Sequence, residues 1–233
     1  MTPLWNKYEK PSAFSRTQTV YCTIPITDLI DRAAITPEVK HLIENLPSGV
    51  WLAGSWFESL FRNETPKDFD LFFRDSDAFK ETIDMLRDPE MPENEEELDS
   101  FLGDYKLPED ELLESLANDD KTTAITLKHE TKPSIQLIRT RFYSSPEDVI
   151  DSFDFTVCQF AVGKEGLTFS PMGLLDMSRK RLVLHRITFP SSTMRRMLKY
   201  AKKGYYACGG HLVSMVEQIK NAPDENVEVL YVD

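Results

Sequence analysis

Val50-Trp51-Leu52-Ala53-Gly54-Ser55 and, thirteen positions on, Asp68-Phe69-Asp70-Leu71-Phe72-Phe73 are the stretches that decide how this chain folds. The first four residues form a short apolar run after the turn signal Pro47-Ser48-Gly49, which predicts a buried strand. Gly54-Ser55 then opens an amphipathic segment that runs through Phe61 and predicts a short helix. Residues 68–73 predict a second strand. Asp68 and Asp70 stand two apart on it, so they share one face while Phe69 and Leu71 occupy the other.

Those positions have chemical consequences. A glycine at the end of a strand lets backbone approach a phosphate closely, and a helix start offers free N–H groups to an anion. Ser55 adds a hydroxyl donor at the same place. Two carboxylates on one strand face hold a hard divalent cation, Mg²⁺ or Mn²⁺, which keeps waters and takes substrate phosphates as its remaining ligands. Nucleotidyl transfer uses that arrangement, with metal at both the attacking and the leaving oxygen. Alone, an Asp-x-Asp is ordinary surface charge and a Gly-Ser turn ordinary punctuation. Joined by one helix, they make a site.

Outward from this centre, 27–34 and 36–46 predict two short helices, the second with Thr36 as N-cap and Pro37 in its first turn. Residues 1–25 predict an irregular arm. After a helix over 75–86 comes an acidic insertion, 88–120, expected to be solvated. Strands are predicted at 122–127, 134–139 and 153–162, with a hairpin return at 167–170. The remainder predicts helices at 192–203 (ended by Gly204) and 212–221, then a last strand or tail at 227–232. The division expected is an arm with helices over 1–47, a head over 48–178, and a basic helical neck and tail over 179–233.

Composition narrows the functional classes. Hydrophobic residues make up 41% of the chain, too many for a disordered one. No run approaches the roughly 20 apolar residues of a membrane helix, and no secretory signal opens the sequence. Cys22, Cys158 and Cys208 lack metal-ligand spacing and predict free thiols in a reducing, cytoplasmic setting. His129, His185 and His211 are scattered and predict structural roles. The net charge of −12 argues against a protein that coats nucleic acid. That charge is uneven, however. Residues 75–120 hold 18 acidic side chains, whereas 177–216 hold none and carry nine cations. The basic segment 179–203 is therefore the candidate surface for RNA.

The centre and its surroundings resemble the polymerase-β-type nucleotidyltransferase superfamily, whose signature is a Gly-[Gly/Ser] turn followed by Asp-x-Asp. Within it, the likeness is to the head and neck of CCA-adding enzymes and poly(A) polymerases. Lys67-Asp68-Phe69-Asp70-Leu71 resembles that family's second strand, and Asp154-Phe155-Thr156-Val157-Cys158 its DFTIN segment. Gly173-Leu174-Leu175-Asp176 and the basic helix ending at Gly204-Tyr205 resemble its G-x-x-D turn and neck. The resemblance implies an α/β (α+β) fold, with a mixed, mostly antiparallel sheet flanked by helices and a small C-terminal helical neck. It also implies Asp68 and Asp70 as catalytic metal ligands, with Gly54, Ser55, Lys67, Asp154, Arg195, Arg196 and Lys199 contacting the nucleoside triphosphate. The chain departs from the pattern at three places. Glu58-Ser59 replaces Arg-Asp, Ser152-Phe153 replaces two arginines, and the third acidic position holds Gln136, which can ligate metal through its carbonyl but is not a base. Nothing after the neck matches the body and tail that grip tRNA, so CCA addition itself is not expected.

The expected reaction is Mg²⁺-dependent transfer of a nucleoside monophosphate to an acceptor hydroxyl on RNA, a protein or a small molecule, with pyrophosphate released. Two alternatives stand beside it. One is a degenerate relative that binds nucleotide or RNA without chemistry. The other is an inhibitor protein acting through the acidic insertion.

Overall fold

The computed structural model describes residues 20–25, 37–87, 105, 108 and 123–220. Its elements, in chain order, are β1 (Cys22–Ile24), α1 (Pro37–Asn45), β2 (Val50–Ala53), α2 (Trp56–Phe61), β3 (Asp68–Phe73) and α3 (Ser76–Arg87). Then come β4 (Thr123–Leu127), β5 (Ser134–Arg139), α4 (Pro146–Asp151), a 3₁₀ turn (Thr156–Cys158), β6 (Phe160–Gly163) and β7 (Gly166–Phe169). Three helices follow: α5 (Pro171–Ser178), α6 (Pro190–Lys202) and α7 (Gly209–Lys220).

The strands form one sheet in the order β1-β7-β6-β2-β3-β5-β4. Only β3 and β5 run parallel; every other pair is antiparallel. This is the mixed, mostly antiparallel sheet that the pattern implies. The alternation along β3 sorts the two faces. Phe69, Leu71 and Phe73 join Leu52, Ile135 and Leu137 in the main core, beneath Leu42 of α1, Trp56 of α2 and Phe79 of α3. The opposite face carries a smaller cluster of Trp51, Ala53, Phe72 and Ala161 under Val149 and Ile150 of α4. Met197, Tyr200, Tyr205 and Met215 belong to the main core, so the neck is packed into the head's interior.

Two expectations need correction. Cys22–Ile24 is no irregular arm but an edge strand on β7, where Thr23 meets Thr168 side chain to side chain at 3.2 Å. Residues 153–162 are not one strand. Phe155 bridges Leu184, the chain turns through Thr156–Cys158, and only Phe160–Gly163 joins the sheet. The cause is α5, which Ser170 and Pro171 start and which local periodicity did not reveal. Gly173 of α5 lies so close to the Thr156 carbonyl that a Cβ there would sit 2.3 Å from it, and Asp176 accepts the Thr156 hydroxyl at 2.8 Å. The Gly-x-x-Asp motif is thus a brace that pulls the 156–158 segment out of the sheet. The helix expected at 27–34, Thr36, nearly all of the 88–120 insertion and the 227–232 segment lie outside the described residues.

Candidate active site

One row of residues crosses all seven strands on the α4 face. The pairings Thr23↔Thr168, Thr168↔Ala161, Ala161↔Ala53, Ala53↔Asp70, Asp70↔Gln136 and Gln136↔Thr126 define it. Asp70 sits near the middle, with Asp68 two residues earlier on β3 and paired to Ser134. The small side chains of Ala53 and Ala161 keep the floor beside Asp70 low.

The backbone closes over that carboxylate. Gly54 has φ of +94°, a conformation that L side chains rarely adopt, and a Cβ there would stand 2.9 Å from Asp70 Oδ2. A glycine is therefore needed for both backbone angle and clearance. Ser55 begins α2 half-buried, and its hydroxyl makes no capping hydrogen bond, so it is available to a ligand.

Electrostatically the pair is unbalanced. Neither Asp68 nor Asp70 forms an ion pair or side-chain hydrogen bond with another described residue. Burial, and secondarily the charge of Asp68, push the Asp70 carboxyl up to about 7. Two adjacent carboxylates without a counter-charge create a need for cations. Hard oxygen donors from Asp68 and Asp70, with the Gln136 carbonyl beside them, fit Mg²⁺ or Mn²⁺ completed by water and phosphate oxygens. No group of three or more His, Cys, Asp or Glu side chains gathers among the described residues, so two carboxylates are what the site provides.

The other expected contacts divide. Lys67 is exposed immediately before β3. Asp154 and Arg196 face each other: Arg196 Nε donates to Asp154 Oδ2 at 2.6 Å, and Thr193 Oγ1 donates to the same oxygen at 3.0 Å. In this arrangement they satisfy one another and pin α6 to the head rather than standing free for a triphosphate. Arg195 and Lys199 lie elsewhere on α6, and neither forms an ion pair among the described residues.

Other structural anchors escaped the sequence. Glu58 of α2 is fully buried and accepts from Lys203 at 2.7 Å and from Arg62 at 3.4 Å. This pair ties the far end of α6 to the helix that Gly54-Ser55 begins. Cys158 Sγ and Tyr200 Oη meet at 3.0 Å, and burial raises the thiol to about 11. Asp151 at the end of α4 accepts from Tyr21 and His185 and pairs with Arg186. The His185 hydrogen bond is the main cause holding its carboxyl down to about 2. Apart from Arg62, four residues from Glu58, the partners of these groups are 34 to 145 residues apart in sequence, beyond any local pattern.

Solved structures share this architecture. The Thermotoga maritima CCA-adding enzyme complexed with tRNA superposes with a TM-score of 0.57 at 13% identity, covering 88% of this chain and 47% of that one. A CCA-adding enzyme in complex with ATP gives 0.59 at 14% identity, with 88% and 46% covered. The complex with CTP gives 0.58 at 13% identity, with the same coverage. The chain spans about half the length of those enzymes, and at such identity the likeness establishes the nucleotidyltransferase-like fold. No curated protein matches the sequence. The profile of the Gabija anti-defense 2 family matches residues 26–180. That match takes in more than half of the chain, from before β2 to the end of α5, and on it the chain belongs to the Gabija anti-defense 2 family.

Proposed function

We propose that this chain transfers a nucleoside monophosphate from a nucleoside triphosphate to an acceptor hydroxyl, releasing pyrophosphate, and that this modification is its means of opposing Gabija defence. The observation that carries the reading is the unpaired Asp68–Asp70 couple under the Gly54-Ser55 turn. Asp68, Asp70 and the Gln136 carbonyl would hold Mg²⁺ or Mn²⁺, which when bound neutralises phosphate charge and polarises the α-phosphorus. Gly54 admits the triphosphate close to the backbone, and the Ser55 hydroxyl donates to a phosphate oxygen. Lys67, Arg195 and Lys199 are the remaining cations proposed for the outer phosphates or the acceptor. Few protein groups need to change protonation, because fixed donors and metal carry the developing charge.

Gln136 favours a second reading, nucleotide binding without transfer, since it removes a carboxylate from the pattern. Both readings require binding. A triphosphate at about 100 times its Kd stabilises the fold by about 2.7 kcal/mol, which raises Tm by roughly 5–10 °C for a chain of this size. The rise should require Mg²⁺ or Mn²⁺ and shrink in Ser55→Ala. If none of the four ribonucleotides at millimolar concentration moves Tm, both readings fail.

A further inference from the structure

The Asp68–Asp70 couple has the Gly54-Ser55 turn on one side of β3, and on the other side lie β5 and then β4. The register names what stands there. Thr126 pairs with Gln136 and Leu127 with Ile135, so the next step sets Lys128 opposite Ser134. Ser134 in turn pairs with Asp68. Alternation gives Lys128 the face of Thr126, Gln136 and Asp70. Two neighbouring rows therefore run Asp70–Gln136–Thr126 and Asp68–Ser134–Lys128. At about 4.8 Å per strand spacing, the Lys128 backbone stands roughly 10 Å from that of Asp68. Its four-carbon stem covers much of that gap, and lifts the ammonium above the short carboxylates to the level of a metal-held phosphate. Lys128 is exposed and forms no ion pair among the described residues.

The backbone that carries this cation is braced. His129 has the parity of Leu127 and lies on the core side, where its ring meets that of Tyr105 at 5.3 Å. Its Nδ1 accepts the backbone N–H groups of Thr131 and Lys132 at 3.0 Å. Tyr105 Oη donates to the Pro133 carbonyl at 2.5 Å. The Ser134 N–H donates to the Lys67 carbonyl at 3.2 Å, which ties the end of the turn to the residue before Asp68. A cation on a braced turn gives up less freedom on meeting a phosphate than one on a loose loop.

Direction selects the phosphate. A triphosphate whose outer phosphates rest at Gly54 and Ser55, on the β2 side, carries its α-phosphate across β3 toward β5 and β4. The need for a cation there is plain. Ser152-Phe153 stands where the resembled pattern has two arginines, and Arg196 is engaged with Asp154. We propose, resting on the transferase reading above, that Lys128 is a nucleotide-binding residue whose ammonium donates to the α-phosphate, while the Gly54-Ser55 turn holds the outer two. The two ends of the triphosphate are thus gripped from opposite sides of the carboxylate pair.

The test measures binding to the full chain, with Mg²⁺, of whichever ribonucleoside triphosphate the wild type binds tightest, of its monophosphate and of inorganic pyrophosphate. Lys128→Met should weaken the triphosphate and the monophosphate by about tenfold or more, the usual effect of losing a charge-assisted hydrogen bond, and leave pyrophosphate within about twofold. Ser55→Ala should do the converse, weakening triphosphate and pyrophosphate but not monophosphate. Lys128→Arg should keep most of the affinity. Monophosphate bound equally by Lys128→Met and the wild type would overturn the proposal. So would an equal loss of monophosphate and pyrophosphate, or a wild type that binds triphosphate but no monophosphate at millimolar concentration. A wild type that binds none of the three would instead bring down the transferase reading on which the proposal rests.

Discussion

Asp70→Asn will lower nucleotidyl transfer by about a thousandfold or more and, in a chelator at pH 8, will raise the melting temperature. The loss follows because one of the two carboxylates under the Gly54 turn no longer binds a divalent cation strongly. Metal stabilisation worth several kcal/mol is several powers of ten in rate. The gain in stability follows from Asp70's surroundings. Its folded carboxyl is raised from 3.8 to about 7, so the folded state holds the proton more tightly than the unfolded chain does. Its contribution to stability is full below pH about 4 and is lost as pH rises through about 7. Each unit is worth about 1.4 kcal/mol, and solvent screening at a partly exposed position reduces the total to about 1–3 kcal/mol. Without metal, the wild type should therefore lose that much between pH 4 and 8, whereas Asp70→Asn should not. Added Mg²⁺ should restore the wild type and leave the variant unchanged. Thermal melts across pH, with and without EDTA, check this. Equal pH profiles for the two proteins would show that burial and Asp68 do not raise the Asp70 carboxyl.

The second large effect concerns the anchor between neck and head. Lys203→Met should destabilise the fold by about 3–5 kcal/mol, the usual result of stripping the partner from a buried charge. Glu58 is fully buried, and Arg62 at 3.4 Å is the weaker of its two cations. At roughly 2–4 °C per kcal/mol, Tm should fall by about 6–20 °C. Replacing both partners in Glu58→Leu/Lys203→Met should recover most of the loss, because the uncompensated charge is then gone. Denaturant unfolding of the single and double variants measures this directly. A single variant within about 0.5 kcal/mol of wild type would mean that Glu58 is adequately hydrated or held by Arg62 alone.

These two cases mark the boundary of what the sequence discloses. The β2–turn–α2–β3 unit was legible because its signals are local. An apolar tetrad, a glycine at a strand end and an Asp-Phe-Asp alternation each constrain the next few residues. Asp70 and Gln136 stand side by side in one row of the sheet, with Asp68 two residues earlier on β3 and Gly54 against the Asp70 carboxylate. Glu58 gave no such signal. On a helical wheel it is one acidic residue among apolar ones, and its partner Lys203 is 145 positions away. Arg196, expected as a triphosphate contact, meets a partner that local pattern does not indicate either: Asp154, 42 positions earlier, accepts from it. The 153–162 run shows a different failure. Its apolar content suits a continuous strand, and only the α5 brace through Gly173 and Asp176 bends Thr156–Cys158 away. The three-residue β1 was too short for alternation to register. Its place is secured by Gly166, where an added Cβ would lie 2.1 Å from the Ile24 carbonyl.

The most direct measurement is pyrophosphate release by the full chain with Mg²⁺, a nucleoside triphosphate and an acceptor, read continuously through a coupled phosphate assay. A site in which Asp68 and Asp70 do chemistry predicts release that starts with metal, stops with EDTA, and falls at least about a thousandfold in Asp70→Asn while that variant remains folded. Nucleotide binding in the wild type without pyrophosphate release above the Asp70→Asn background, for any ribonucleotide and with RNA, protein or small-molecule hydroxyl acceptors alike, would contradict it.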